Sequence, residues 1–424
     1  IIRVRLITKM VRAVSTLLTR FTAAVFPVVR VWALVRPADT RADNMRRVTQ
    51  TPRSDWQKRL ERIGFNYHSM DGLYWREDYA YEFTTQQIDV LDDASLEMHQ
   101  LCKSVLSDLI RTGDGGEFGW PDAVWSDIVS SYHADELSLY GRFDWAYDGF
   151  GAPKLLEYNA DTPTSLIESS LAQWYWLQDV HPKFDQFNSL HEKIVARWRV
   201  LREAWIQKGQ APLIYFVGMY ENEEEAATLD YLNEMAVQAG WQSYWLDMED
   251  VGYHHESKRF RDLAERPIDR AFKLYPWEWM MREPFGQHAL HSQTRWIEPM
   301  WKMIWSSKAF MAHLWRAAPN HPNLLPTYFS AEPFGAQPYV KKPFASREGT
   351  GISLHQTAHD VVLPTAEASN GFVYQAFHEL PKFGDAWTVI GTWMVGDEPA
   401  GLAIREDATP ITRDTSHFVP HYFV

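Results

Sequence analysis

Cysteine is almost absent from this chain. Cys102 is the only one in 424 residues. An intrachain disulfide is therefore excluded, as is any metal site built from several thiolates, and such sparing use suits a reducing cytosol. Cys102 lies in LEMHQLCKSVLSDLI, whose apolar spacing makes it a helix core residue; a catalytic thiol would be out of place there. The 16 histidines form neither HExxH nor a zinc-like cluster. The GxxxxGK[ST] pattern is missing too, so the chain has no Walker loop. It also has no internal repeat, low-complexity tract or long linker. No uncharged apolar run approaches the ~20 residues that a membrane-spanning helix needs.

Positive charge is scarce and unevenly placed. The chain carries a formal charge of −13. Residues 1–44 hold eight Lys/Arg against two Asp/Glu, which leaves 34 basic and 53 acidic residues, a net of −19, in the remainder. So acidic a body argues against nucleic-acid binding. It fits an enzyme that attracts a cationic substrate. The first 44 residues are arginine-rich and acid-poor. A signal peptide starting at Met10 would be broken by Arg20, whereas a transit peptide would share the arginine content. We expect ordinary sequence to begin near Met45, with residues 1–44 a mis-assigned start or a disordered leader. A cytoplasmic protein without membrane association is the expectation.

The most informative stretch is YGRFDWAYDGFGAPKLLEYNADTPTS, from Tyr140 to Ser165. Two strand-like runs flank DGFGAP, whose Asp, Gly and Pro form turns. Alternation puts Arg142 with Asp144 on one face, and Glu157 with Asn159 on the other run. A hairpin symmetric about Phe150 and Gly151 sets Asp144 opposite Glu157 and Arg142 opposite Asn159. Facing carboxylates repel. A hard cation between them turns repulsion into affinity, and carboxylate and amide oxygens are what magnesium prefers. An adjacent arginine can clamp a phosphoryl group. The same pattern also suits a hairpin with a solvated polar face.

The length allows two or three domains or one multi-lobed enzyme, and 46% hydrophobic content with 20 tryptophans supports a large core. Helical spacing covers a short segment from Ser54, one or two long helices from Phe83 to a glycine stop, and PDAVWSDIVSSYHAD. Two more helices follow the hairpin, in TSLIESSLAQWYWLQDV and FNSLHEKIVARWRVLREAWIQKG. From Pro212 the pattern becomes strand–helix–strand, with a third strand in DRAFKLY, the mark of a small parallel-sheet unit. RWIEPMWKMIWSSKAFMAHLWRAAPNHPNLLP reads as helical until its prolines. Strands return from Tyr339 in PYVKKPF, GTGISLH, GFVYQAF, AWTVIGTWMV and AGLAIRE.

These strands bring further candidates. Lys342 precedes Pro343, which biases it to an extended strand end. Arg347, Gly349 and Gly351 follow in a loop whose small residues let backbone N–H groups approach phosphates. Lys308, on a helix flank, reads as solvated when taken alone. Gln375 lies in an apolar run and needs partners, which an adenine edge or a neighbouring strand can supply. Arg405 either pairs with Asp407 or reaches a phosphate. Asn222 and Glu225 match a capping box, and Glu221, Glu223, Glu224 and Glu225 suit a helix start or an ammonium site.

In this order, GRFDWAYDG, LLEYNADTPTSL, FKLYPWE, the EP of WIEP, NHPNLLP, YVKKPFASREG, YQAFHELPKFG and GLAIRED resemble the glutathionylspermidine synthetase-like family. The likeness is strongest to its single-domain bacterial acid–amine ligases and covers Trp56 to Val424. It implies an α+β / α/β architecture with an ATP-grasp fold, in the permuted order of the glutathione synthetases, with ATP and magnesium between two antiparallel-sheet lobes. Residues 45–424 would form the synthetase domain, which opens with a helical N-terminal part, with 212–275 an inserted α/β subdomain and 300–424 the C-terminal nucleotide-binding lobe. The resemblance makes Asp144, Glu157 and Asn159 ligands of magnesium, two ions being implied, and Arg142 the phosphate and transition-state arginine. It sets Lys308 and Lys342 on ATP, Gly349 in the phosphate-covering loop, Gln375 on the adenine side and Arg405 at the phosphates. The implied activity is ATP-dependent ligation of a carboxylate, free or in a peptide, to an amine, polyamines included, through an acyl phosphate. Bifunctional members carry an amidase domain with a nucleophilic Cys and His; the short, cysteine-free segment upstream gives no expectation of that activity. A nucleotide-binding partner protein with weak or no ligase activity would keep the same residues.

Overall fold

The computed structural model describes residues 45–69, 72–347, 349–355, 361–362, 369–413 and 415–424. The expectation for residues 1–44 lies outside the described residues.

Two antiparallel sheets frame the molecule's main cleft. The larger runs, in spatial order, through His417–Val419, Glu398–Asp407, Ala386–Val395, Tyr140–Ala146 and Lys154–Asn159, with Lys382–Phe383 pairing beside Ala386–Val395. The smaller runs through Thr327–Tyr328, Phe372–Ala376, Tyr339–Pro343, Ser353–His355 and Val361–Val362. Alternation explains how one strand serves both core and cleft. In Tyr140–Ala146, Phe143 and Trp145 are wholly buried and pack into the main hydrophobic core. Phe143 stacks on Tyr158 of the partner strand at 3.9 Å, and the Trp145 indole donates to Thr392 Oγ1 (2.7 Å). Arg142 and Asp144 point the other way.

The hairpin pairs Arg142 with Asn159 and Asp144 with Glu157, the register expected from its symmetry. Beyond that pair the register shifts, so that Trp145 meets Leu155 and Leu156 is left over as a bulge.

The long N-terminal helix is single, Thr85–Thr112. Thr84 and Gln87 close a capping box at its start, and Gly113 ends it at φ 73°. Cys102 is fully buried within it. A four-stranded parallel sheet has the order Arg295–Ile297, Arg270–Lys273, Leu213–Gly218, Gln242–Asp247. Its first strand corrects the helical reading of RWIEPMWK. Pro299 lacks a donor and biases Glu298 away from helix. Trp296 and Ile297 are instead buried along the sheet edge. The rest of that segment divides into Lys302–Ser306 and Ala309–Ala317. At the break, Ser307 is extended and the Lys308 amide donates to the Phe344 carbonyl (2.8 Å), tying the second helix to the smaller sheet. A three-stranded sheet joins Arg46–Thr49, Tyr79–Phe83 and His421–Phe423. Among the described residues no helix is long and apolar enough to cross a membrane.

Candidate active site

Arg142, Asp144, Glu157, Asn159, Lys308, Lys342, Gly349, Gln375 and Arg405, scattered over the sequence, all line one cavity of about 210 Å³. Glu224 and Arg347 line it too.

Asp144 is the point of convergence. Arg142 Nε donates to its Oδ1 (2.8 Å), while Oδ2 accepts from Arg405 Nη2 (2.6 Å) and Asn159 Nδ2 (3.1 Å). The same Asn159 amide nitrogen lies 3.3 Å from Glu157 Oε1, so it sits between the two carboxylates. Arg405 therefore reaches across the one intervening strand, Ala386–Val395, to Asp144; Asp407 pairs with Arg413 instead (3.0 Å). The next residue, Glu406, faces the opposite side and is held by Arg47 and Tyr81. Arg142 is fixed from behind by the Thr164 carbonyl (3.0 Å).

The smaller sheet contributes Lys342 and Gln375 from adjacent strands. The Lys342 ammonium donates to Gln375 Oε1 (2.7 Å) and to the Leu156 carbonyl (2.9 Å), which the bulge exposes. Gln375 thus finds its partner on a neighbouring strand. Lys308, read alone as a solvated flank residue, is buried: the helix break turns it inward to Glu157 Oε2 (3.1 Å) and the Ser346 carbonyl (2.8 Å).

Burial pushes the Glu157 carboxyl up, but the Lys308 and Lys342 ammoniums outweigh it and hold the group below its ordinary range. Burial brings the Lys342 ammonium down to about 8, with Glu157 opposing and Lys308 assisting. Burial also lowers Arg142, yet Asp144 outweighs it and the guanidinium is raised overall. Gly349 and Gly351, at φ 73° and 71°, occupy the left-handed region that a side chain would strain. Arg347 reaches back to Thr162 Oγ1 (2.9 Å).

Several cavity residues had no sequence signal. Leu325, Phe377, Leu380, Val389 and Ile411 form an apolar end, gathered from four separate segments. Glu168, just behind the wall, opens a π-helical turn, Glu168–Ala172, and accepts from Tyr74 (2.9 Å). It reads in sequence as one polar residue in an apolar helix.

The chain matches the model of the family described as glutathionylspermidine synthase preATP-grasp over residues 47–424. A protein of Haemophilus influenzae named "putative acid–amine ligase" is 40% identical over 396 residues, covering 90% of this chain and all of that one. Trypanothione synthetase of Crithidia fasciculata is 26% identical over 85% of this chain and 57% of its own length. The bifunctional glutathionylspermidine synthetase/amidase of Escherichia coli is 25% identical over 72% of this chain and 52% of its own length. The chain thus spans little more than half the length of these two relatives. A glutathione synthetase-like effector from Globodera pallida superposes with a TM-score of 0.56 at 10% identity, covering 87% of this chain and 96% of that one. The mixed α/β fold is therefore of the glutathione synthetase-like kind. The chain belongs to the glutathionylspermidine synthase preATP-grasp family.

Proposed function

We propose that this protein is an ATP-dependent acid–amine ligase with a permuted ATP-grasp architecture, in which residues 300–424 carry most of the nucleotide contacts and 212–275 form an inserted α/β subdomain. One observation carries this reading. Two carboxylates and an amide on a single hairpin meet Arg142 of that same hairpin and three further cationic side chains, Lys308, Lys342 and Arg405, from three other places in the chain, around one cavity.

Magnesium fits this donor set. The Asn159 NH₂ group lies between Asp144 and Glu157, in the position a cation would take, and turning the amide offers its oxygen instead. Among the described residues no group of three or more His, Cys, Asp or Glu could hold a metal. That suits an ion bound by one or two carboxylates, with phosphate oxygens completing its shell. Asp144, Glu157 and Asn159 would hold it, and two ions are accommodated by the charge of a triphosphate. When bound, magnesium neutralises phosphate charge.

The side chains then divide the work. Lys308 and Lys342 meet the phosphates, and Gln375 holds the Lys342 ammonium in place. The apolar end takes the base. Gly349 lets the loop backbone approach the phosphates. Arg142, anchored by Thr164, and Arg405 face the charge that develops as the terminal phosphoryl passes from ATP to a carboxylate oxygen and ADP departs. The amine nitrogen then attacks the acyl carbon, the C–N bond forms, inorganic phosphate leaves with the acyl oxygen, and the amine proton is lost. Glu224, on the wall, is the acceptor at hand for an amine that arrives protonated.

The test is incubation with ATP, magnesium and a pool of peptides and polyamines, read by mass spectrometry for a product one water lighter than its parents. Phosphate release should require both an acid and an amine. Release that ignores both, with no condensation product, would favour the nucleotide-binding partner reading.

A further inference from the structure

Two motifs of the sequence take no part in the chemistry proposed above, FKLYPWE around Lys273 and the EP of WIEP at Glu298. The fold sets them side by side. Lys273 ends one strand of the parallel sheet, Arg270–Lys273, and Glu298 directly follows the neighbouring strand, Arg295–Ile297. The carboxyl ends of parallel strands are where such sheets usually bind ligands. Here both residues are wholly buried, and each binds one end of the reaction hairpin. Lys273 Nζ donates to Oδ1 of Asp161 (2.7 Å), just past the strand Lys154–Asn159. The Trp277 amide donates to the other carboxylate oxygen (2.8 Å), so both oxygens are taken. At the hairpin's start, Glu298 Oε1 accepts from the amides of Leu139 (2.9 Å) and Tyr140 (3.0 Å). Lys302 Nζ donates to the Tyr140 carbonyl (2.8 Å). Trp277 joins the two attachments, because its indole donates to the Glu298 carbonyl (3.0 Å).

Arg142 lies between these attachments. Its backbone follows Tyr140 on the same strand, and its guanidinium is held by the Thr164 carbonyl (3.0 Å), in the loop that Asp161 opens. Thr162 of that loop also holds Arg347 (2.9 Å). Replacing a buried ion pair by well-packed apolar residues is often neutral or stabilising, so stability is a poor account of these charges. What they add is direction, since each carboxylate oxygen and each ammonium is tied to a definite partner. We infer that Asp161, Lys273 and Glu298 are positioning residues, through which the parallel-sheet unit holds Arg142 in place for phosphoryl transfer. What Arg142 does rests on the ligase reading; what holds it does not.

The test replaces both members of one pair in the full chain, Asp161→Asn together with Lys273→Met. The double variant strands no charge in the interior and leaves an oxygen for the Trp277 amide. Turnover of ATP with magnesium, acid and amine should fall roughly tenfold or more, the range of outer-shell partners, while KM for ATP stays unchanged. Hydrogen exchange read by mass spectrometry should quicken over residues 140–146 and 162–165. Glu298→Ala attacks the other end, and should lower turnover and quicken exchange over residues 139–142. Glu298→Gln keeps the accepting oxygen and should restore wild-type behaviour. Wild-type turnover in both the double variant and Glu298→Ala, a rise in KM in place of a fall in kcat, or a loss that Glu298→Gln fails to restore would each overturn the proposal. So would unchanged exchange in these segments. Exchange needs no turnover, so it still shows whether these residues hold Arg142 if no acid and amine are joined, and the two readings fail separately.

Discussion

Two pairs of carboxylates lie close to the reaction cavity, and they are treated in opposite ways. Asp144 and Glu157 face each other across a ladder and are surrounded by Arg142, Arg405, Lys308 and Lys342. Glu168 and Glu224 face each other with tyrosines for company. Tyr74 donates to Glu168, with the Tyr67 ring tilted against it at 5.9 Å between centroids. Glu157 and Glu168 are the same residue type, and burial pushes both the same way. The neighbours decide. Glu157 is held down by two ammoniums, whereas Glu168 is pushed up to about 8 by burial and then by Glu224. On the proposed reading the first pair is a fixed negative site for magnesium; the second holds a proton at neutral pH.

The sharpest way to break this contrast is to remove charge from the first pair. Asp144→Asn and Glu157→Gln should each cut magnesium-dependent ATP turnover by more than about a hundredfold, beyond the range in which outer-shell partners act. Circular dichroism should show an intact fold, because each amide keeps the side chain's shape and an oxygen that can still accept from the neighbouring arginine or lysine. Wild-type turnover in either variant would end the metal reading. Next in size is Lys342→Ala, which removes one of the cations that set Glu157 apart from Glu168. Calorimetry with a non-hydrolysable ATP analogue should show binding weaker by roughly 2–4 kcal/mol, the scale for one partner of a desolvated charge pair. Unchanged affinity would mean that the phosphates lie elsewhere.

The smallest effect belongs to the second pair. The folded protein holds the Glu168 proton more tightly than the unfolded chain, whose ordinary value is 4.5. That contribution to stability is full below about pH 4.5 and is lost as pH rises through about 8. Glu168→Gln should therefore flatten the decline of Tm between pH 5 and 9 by about a degree or more. Parallel slopes in the two proteins would show that Glu168 stores no proton.

The same contrast marks what sequence could reveal. The hairpin pair was legible because alternation and turn chemistry are local, and together they set the register. The bulge at Leu156 left no trace, since it lies on the turn side of the pair and does not disturb it. Lys308 misled because helix-flank lysines are ordinarily solvated, whereas here a break at Ser307 turns it inward. The cue was a serine pair before the lysine, too common to carry weight. Arg295–Ile297 was missed as a strand because three residues show no period, and its parallel neighbour lies across the Trp-rich loop. Glu168 is intelligible only beside tyrosines some ninety residues upstream.

The three-stranded sheet has a consequence for how the protein is made. Arg46–Thr49 pairs with Tyr79–Phe83, and that strand pairs with His421–Phe423. Arg47 is bound to Glu406, next to the arginine that reaches Asp144. On the ribosome, the segment around residue 46 emerges hundreds of residues before its sheet can be completed. The helices and the parallel sheet draw on shorter stretches and can take shape while synthesis continues. The cavity cannot, because Arg405 follows Asp144 by 261 residues. A nascent chain therefore lacks the complete cluster around Asp144 until Arg405 has emerged and paired with it.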